Sequence, residues 1–211
     1  MLFYGRRVCF IGAHPDDIEI GCGGTILKLA EMYPNLYFYW VVLGSSGIRT
    51  EEALKSANLF LEGIDRKNIV VKNFQDGFFP YIGADVKGYF EQLKREINPD
   101  LIFTHYRHDL HQDHRLVCEL TWNTFRNHLI LEYEIPKYDG DLGSPNLFVP
   151  ISEQICQRKI RILFTSFLSQ TKKQWFTEDT FQAIMRLRSI ESASAERFAE
   201  AFYCRKLLWT L

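Results

Sequence analysis

Four of the six histidines fall within ten positions of one stretch, THYRHDLHQDHR at 104–115: His105, His108, His111 and His114. Imidazole both ligates divalent metals and moves protons near neutral pH. A second stretch, AHPDD at 13–17, sets His14 beside Asp16 and Asp17. Histidine nitrogen with carboxylate oxygen suits zinc, and also other divalent first-row metals such as Fe²⁺. Pro15 fixes one backbone dihedral and stiffens that turn. Adjacent side chains of an extended turn do not easily aim at one ion together. One aspartate can therefore bind metal while its neighbour faces a metal-bound water. The plainer alternative is an aspartate pair capping the next helix.

If a helix begins near Gln112, His111 and His114 share a face. His114 then sits in the first turn, where the positive end of the helix dipole disfavours imidazolium and favours the neutral form a metal needs. Asp113 beside it can orient a histidine as an acceptor behind the metal. Spacing assigns no role to His105 or His108.

The elements that must position these residues alternate. Buried strands are predicted at 7–13, 36–43, 69–74 and 101–105. Helices are predicted at 23–33, 50–63, 85–98 and 113–127. Strands alternating with helices of this length imply βαβ units. The expected fold is α/β: Rossmann-like, three-layer α/β/α, with a mostly parallel sheet. From about 131 the pattern loosens into two short strands (131–135, 146–149), helices near 152–165 and 178–189, and a tail segment after 195. This C-terminal third is an elaboration of one domain spanning 1–211. Ligands in open parallel sheets bind outside the carboxyl ends of the strands. The first strand ends at AHPDD and the fourth at the histidine stretch, so both segments fall on the same sheet edge.

Composition narrows the classes. The chain has 211 residues, 46% hydrophobic and 24% charged, with a net charge of −1, as expected of an ordinary globular protein. That balance leaves no electrostatic footprint for nucleic acid or an anionic membrane. No apolar run approaches the roughly 20 residues of a membrane span, and no secretory signal is visible. Five widely spaced cysteines without a CxxC pair are not a disulfide framework or zinc ribbon. Cys9 and Cys22 read as small core hydrophobes. A cytoplasmic location is expected, and an oligomer is compatible with all of this.

The segments AHPDDIEIGCGGT and DLHQDH together resemble the PIG-L/LmbE-like de-N-acetylases, metal-dependent hydrolases that remove acetyl groups from N-acetylglucosaminyl substrates and related amides. RTEEALKSANLFLEG resembles the family's Arg-x-x-Glu helix. AERFAEAF resembles its C-terminal Tyr-Ala-Glu-Ala-Phe signature, with Phe198 in place of the tyrosine. The resemblance implies His14, Asp17 and His114 as metal ligands and Asp16 as general base. It implies His111 as an acid or electrostatic partner, Asp113 as the orienter of a histidine, and Arg49 as a substrate contact. Where some members carry a tyrosine shortly before His111, this sequence has Asp109 and Leu110; Tyr106 is the nearest tyrosine and a candidate contact. Trp175 and Arg188 are candidates for a sugar pocket or for a solvated charged face. The segment IPKYDGDLGSPN (135–146) reads as a substrate loop.

The expected substrate is a small N-acetylated amino sugar, free, nucleotide-linked or glycan-linked, with Zn²⁺ or another divalent ion as cofactor. A related amidase on a non-sugar or thiol-conjugate amide is the alternative. A Rossmann-like nucleotide binder with a structural metal is a third reading. It requires an acidic ribose-binding residue after the second strand, where the sequence has GSSGIRT instead. Gly21, Gly23 and Gly24 depart from GxGxxG spacing and lack a following Walker lysine, so close helix–sheet packing is expected there.

Overall fold

Strand β1 (Arg7–Gly12) alternates its side chains between two cores. Val8 and Phe10 face one side of the sheet, and Cys9 and Ile11 face the other, all fully buried. A strand buried on both faces needs helices on both faces, and the chain supplies them. The computed structural model describes residues 6–208. After β1 come α1 (Asp17–Met32), β2 (Tyr37–Val42), α2 (Ile48–Phe60), β3 (Lys67–Val71), α3 (Gly83–Glu96), β4 (Leu101–His105) and α4 (Gln112–Thr124). Then follow β5 (Leu129–Tyr133), β6 (Leu147–Ile151), α5 (Glu153–Ser166), α6 (Glu178–Glu191) and β7 (Phe198–Cys204).

The seven strands form one sheet in the order β3-β2-β1-β4-β5-β7-β6. Pairing is parallel from β3 through β5, and β7 runs antiparallel to both of its neighbours. Successive crossovers run outward from β1 in one direction and from β4 in the other. The strand order therefore reverses between β1 and β4, which are adjacent with Phe10 opposite Phe103. A crevice opens at such a switch point, and the two histidine-bearing segments leave the sheet there.

Two elements differ from the sequence expectation. Helix α1 begins at Asp17, the last residue of HPDD, rather than at 23; it is kinked at Cys22, whose φ of −146° is not helical. The tail after 195 is not peripheral. It is β7, inserted between the two strands that the sequence leaves as neighbours. Six of its seven residues are buried, so it carries no amphipathic alternation to announce it.

The α1 kink has a visible cause. Glu200 of β7 accepts the amides of Gly24 and Thr25 at 2.7 and 2.6 Å, capping the second half of the helix as a carboxylate should. Lys159 of α5 donates to the Ile20 carbonyl and to Glu200 Oε1, each at 2.7 Å, closing the first half. The AERFAEAF motif is thus explained by its glutamate. The glycines are packing residues, as expected. A Cβ on Gly21 would run into the Tyr133 ring, and one on Gly23 would lie 2.8 Å from Phe60. Tyr133 cannot step aside, because it is fully buried and its hydroxyl donates to the Ile11 carbonyl at 2.7 Å. Gly21→Ala should therefore destabilise the fold by about 1–3 kcal/mol in denaturant unfolding. At an unobstructed helical site the same change would stabilise by up to about 1 kcal/mol.

Candidate active site

The turn after β1 delivers His14, Asp16 and Asp17 in quick succession. Asp16 has a φ of 93°, a left-handed backbone that non-glycine residues adopt at a cost. Although it stands at the α1 N-cap, its side chain makes no capping hydrogen bond. That sets aside the helix-capping reading. The left-handed step turns neighbouring carboxylates apart. Asp17 goes to the histidines, and Asp16 Oδ2 lies 3.1 Å from Arg49 Nη2. Arg49, in the first turn of α2, also donates to the Pro15 carbonyl and lies 3.3 Å from Glu52 Oε2.

From the other side, His111 occupies the N-cap of α4, and its Nδ1 accepts the Asp113 amide at 3.3 Å. His114, one turn into the helix, reaches across to the β1 turn. His14 Nδ1 is 3.2 Å from His114 Nε2, His14 Nδ1 is 3.5 Å from Asp17 Oδ2, and His114 Nε2 is 3.4 Å from Asp17 Oδ1. A tetrahedral ion with ligands at about 2.1 Å holds neighbouring donors about 3.4 Å apart.

Hydrogen bonds behind the triangle assign the tautomers. His14 Nε2 faces Asp113 Oδ2 and Asp76 Oδ1, both at 3.0 Å. His114 Nδ1 faces Asp109 Oδ2 at 2.9 Å. Each ring thus donates outward to a carboxylate and turns a lone pair inward. Two lone pairs and a carboxylate facing one another in a buried space repel unless a proton or a metal cation lies among them. The donor set fits a divalent ion. Burial opposes charge on His14, yet its hydrogen bonds to Asp113, Asp17 and Asp76 prevail and hold the imidazole well above its ordinary range, so the acids around this ring favour a positive charge there, whether a proton or a metal ion. Burial pushes Asp16 up to about 6 despite the opposing Arg49 charge. Burial, with His114 and His14 nearby, lowers His111.

The histidine that Asp113 faces is His14; Asp113 also accepts the amides of Gly77 and Phe79 at 2.7 and 3.1 Å. The partner of His114 is Asp109, two residues before His111, which sequence reasoning passed over. Burial alone would raise Asp109, but the hydrogen bond and charge of His114, with His105 and Lys137, hold it below the usual carboxylate range. Asp76, from the loop after β3, was also missed; nothing near it in sequence marks it. His105 is fully buried at the end of β4, with its Nε2 accepting the Ala13 amide at 2.9 Å and its ring stacked on His114 at 3.9 Å. His108 is exposed against Tyr106.

A cleft of about 470 Å³ opens over the triangle, within the usual range for a ligand pocket. His14, Asp16, Asp17, Arg49, His111 and His114 form its floor, and Ile135, Lys137, Tyr138 and Trp175 rise around it. Trp175 and the first residues of the loop at 135–146 therefore stand at the cleft. Tyr106 and Arg188 are not among its lining. Tyr106 stacks on Tyr203 at 4.0 Å. Arg188 is corrected from a substrate contact to a buried fork on Glu134, at 2.7 and 2.9 Å. An arginine so enclosed is satisfied by its carboxylate and has no free face for a sugar. A phosphate cradle at the glycines is also precluded, since Glu200 already occupies the amides of Gly24 and Thr25. Among the described residues, no helix is long and apolar enough to cross a membrane.

Fold and site together define an open-sheet α/β protein with a buried His–Asp–His cluster and a flanking carboxylate at its switch point. Residues 9–125 match the family described as PIG-L: GlcNAc-PI de-N-acetylase. The chain is 32% identical over 171 residues to the Escherichia coli (strain K12) protein named "Uncharacterized deacetylase YaiS", covering 75% of this chain and 89% of that one. It belongs to the PIG-L family. Its fold is similar to that of N,N'-diacetylchitobiose deacetylase from Pyrococcus horikoshii (TM-score 0.68, 21% identity, 94% of this chain and 83% of that chain). It is also similar to the conserved protein TT1542 from Thermus thermophilus (TM-score 0.77, 20% identity, 96% of each chain).

Proposed function

We propose that this protein is a divalent-metal-dependent N-deacetylase acting on an N-acetylated amino sugar. The observation that carries this is that His14 Nδ1 and His114 Nε2 lie 3.2 Å apart, each within 3.5 Å of an Asp17 carboxylate oxygen, with the neighbouring Asp16 lining the same cleft. His14, Asp17 and His114 would hold the ion. When bound, the ion supplies Lewis acidity toward the amide carbonyl and lowers the pKa of its water to about 7.

The remaining steps belong to side chains. Asp16 accepts the proton of the attacking water as oxygen bonds to the acetyl carbon. Arg49 fixes that carboxylate. His111 receives the Asp113 amide on Nδ1, so its ring proton sits on Nε2, available to the developing oxyanion. This is the part a tyrosine plays in some relatives. Asp16 then returns its proton to the sugar nitrogen, the C–N bond breaks to give amine and acetic acid, and the acid's proton passes to the amine as acetate departs. Trp175 and Tyr138 offer flat apolar faces suited to a sugar ring at the cleft rim.

The test is amine release from a panel of N-acetylhexosamine derivatives before and after exhaustive chelation. Activity should vanish with the metal and return with Zn²⁺ or Fe²⁺. Turnover that survives complete metal removal refutes the mechanism.

A further inference from the structure

From the loop between β5 and β6, Lys137 reaches the carboxylate behind the candidate metal site. Lys137 Nζ lies 2.9 Å from Asp109 Oδ2 and 2.5 Å from Asp141 Oδ2. The same Asp109 oxygen receives His114 Nδ1 at 2.9 Å, and Asp109 Oδ1 accepts the His111 amide at 2.8 Å. Asp141 in turn accepts the Leu110 amide at 2.7 Å. Lys137 borders the cleft, yet its side chain is only 10% exposed. Its ammonium is committed inward, to carboxylates, rather than outward to substrate.

The loop is also pinned from behind. Arg188 grips Glu134 at one end and donates to the Gly143 carbonyl at 3.1 Å near the other. Gly143 lies so close to the Tyr106–Tyr203 stack that a Cβ there would meet Tyr203 Oη at 2.6 Å. The backbone that carries Lys137 is therefore held by contacts that do not involve the site.

We propose that Lys137 is a positioning residue of the metal site: through Asp109 it fixes the ring of His114, and so ties the seating of the substrate loop to the ability of His14, Asp17 and His114 to hold an ion. This rests on the metal reading above. The physical reason is that a carboxylate orients a ligating imidazole only as well as it is itself held. Asp109 has a single oxygen shared between the ring and the ammonium. Without the ammonium that oxygen loses a donor and its counter-charge, and the His111 amide on Oδ1 is left to hold the carboxylate against His114.

The experiment uses the full chain, freed of metal and titrated with zinc against a chromophoric chelator, in wild type, Lys137→Met, Lys137→Gln and Lys137→Arg. Met and Gln should weaken zinc binding by about 10–100-fold, the range for losing an outer-shell partner. Arg should recover most of it. Cobalt-substituted Lys137→Met should show a shifted visible absorption spectrum, and circular dichroism should confirm a folded chain. Saturating zinc should restore much of kcat with little change in KM. Unchanged zinc affinity in both neutral variants overturns the proposal. A rise in KM alone would make Lys137 a substrate contact and also overturns it. A wild type that binds no zinc defeats the metal reading and this inference together, whereas normal wild-type binding with unaltered variants defeats this one alone.

Discussion

Asp16→Asn should bind zinc as tightly as wild type and lose about 10²–10⁴-fold in kcat, the usual contribution of a positioned general base. The substitution suits the question because it is nearly isosteric and because asparagine tolerates the left-handed backbone at φ 93°. Asp16→Ala would mix two effects, since a Cβ-bearing residue without a polar group costs about 1–2 kcal/mol in that conformation. The fold should survive the Asn change. Arg49 keeps the Pro15 carbonyl and Glu52 as partners, and the buried site sheds a carboxylate that burial already disfavours. KM should move little, because the amide keeps the side chain's shape and one acceptor oxygen while losing the capacity to take a proton. Zinc stoichiometry and steady-state kinetics measured on one preparation check this. An Asn variant that keeps full turnover removes Asp16 as the base.

Asp16 belongs to the part of the site that is legible in sequence. HPDD and DLHQDH can be joined because both follow strands of a parallel sheet, and the switch-point rule carries them to one edge. The first six strands and the helices between them follow from apolar runs and helical spacing within each segment. What escapes is long-range. Lys137 meets Asp109, and Arg188 meets Glu134 54 residues away; no local pattern distinguishes these cations from solvated ones. Asp109 is in plain view, two residues before His111, but Asp113 is an equally good orienter until tautomers and distances separate them. The two acids divide the work between the two rings. Strand β7 is hidden for the opposite reason. Being central and buried on both faces, it lacks the period-two contrast that exposes an edge strand, and its Glu200 is polar only to cap a helix more than 170 residues earlier in the chain.

His114→Ala should abolish both metal binding and activity, and so separate holding the ion from using it. The ring contributes Nε2 to the triangle, closes Asp109 behind it, and stacks on His105. Removing it leaves His14 and Asp17, two donors where a catalytic zinc ordinarily has three from protein. Zinc affinity should fall by more than the about 10–100-fold expected for losing an outer-shell carboxylate. Asp109→Asn should accordingly show the smaller, graded loss. His14→Ala should match His114→Ala in metal content, since the two rings face each other as equivalent ligands, whereas His111→Ala should keep its zinc and lose turnover. Metal per chain after dialysis, read beside kcat, orders the variants. The ligand assignment predicts loss of both for His14 and His114 and loss of kcat alone for Asp16 and His111. Unchanged zinc content in His114→Ala overturns that assignment. Equal loss of metal in His111→Ala and His114→Ala would place the ion instead among His14, His111 and His114, whose ring nitrogens also come within reach of one another.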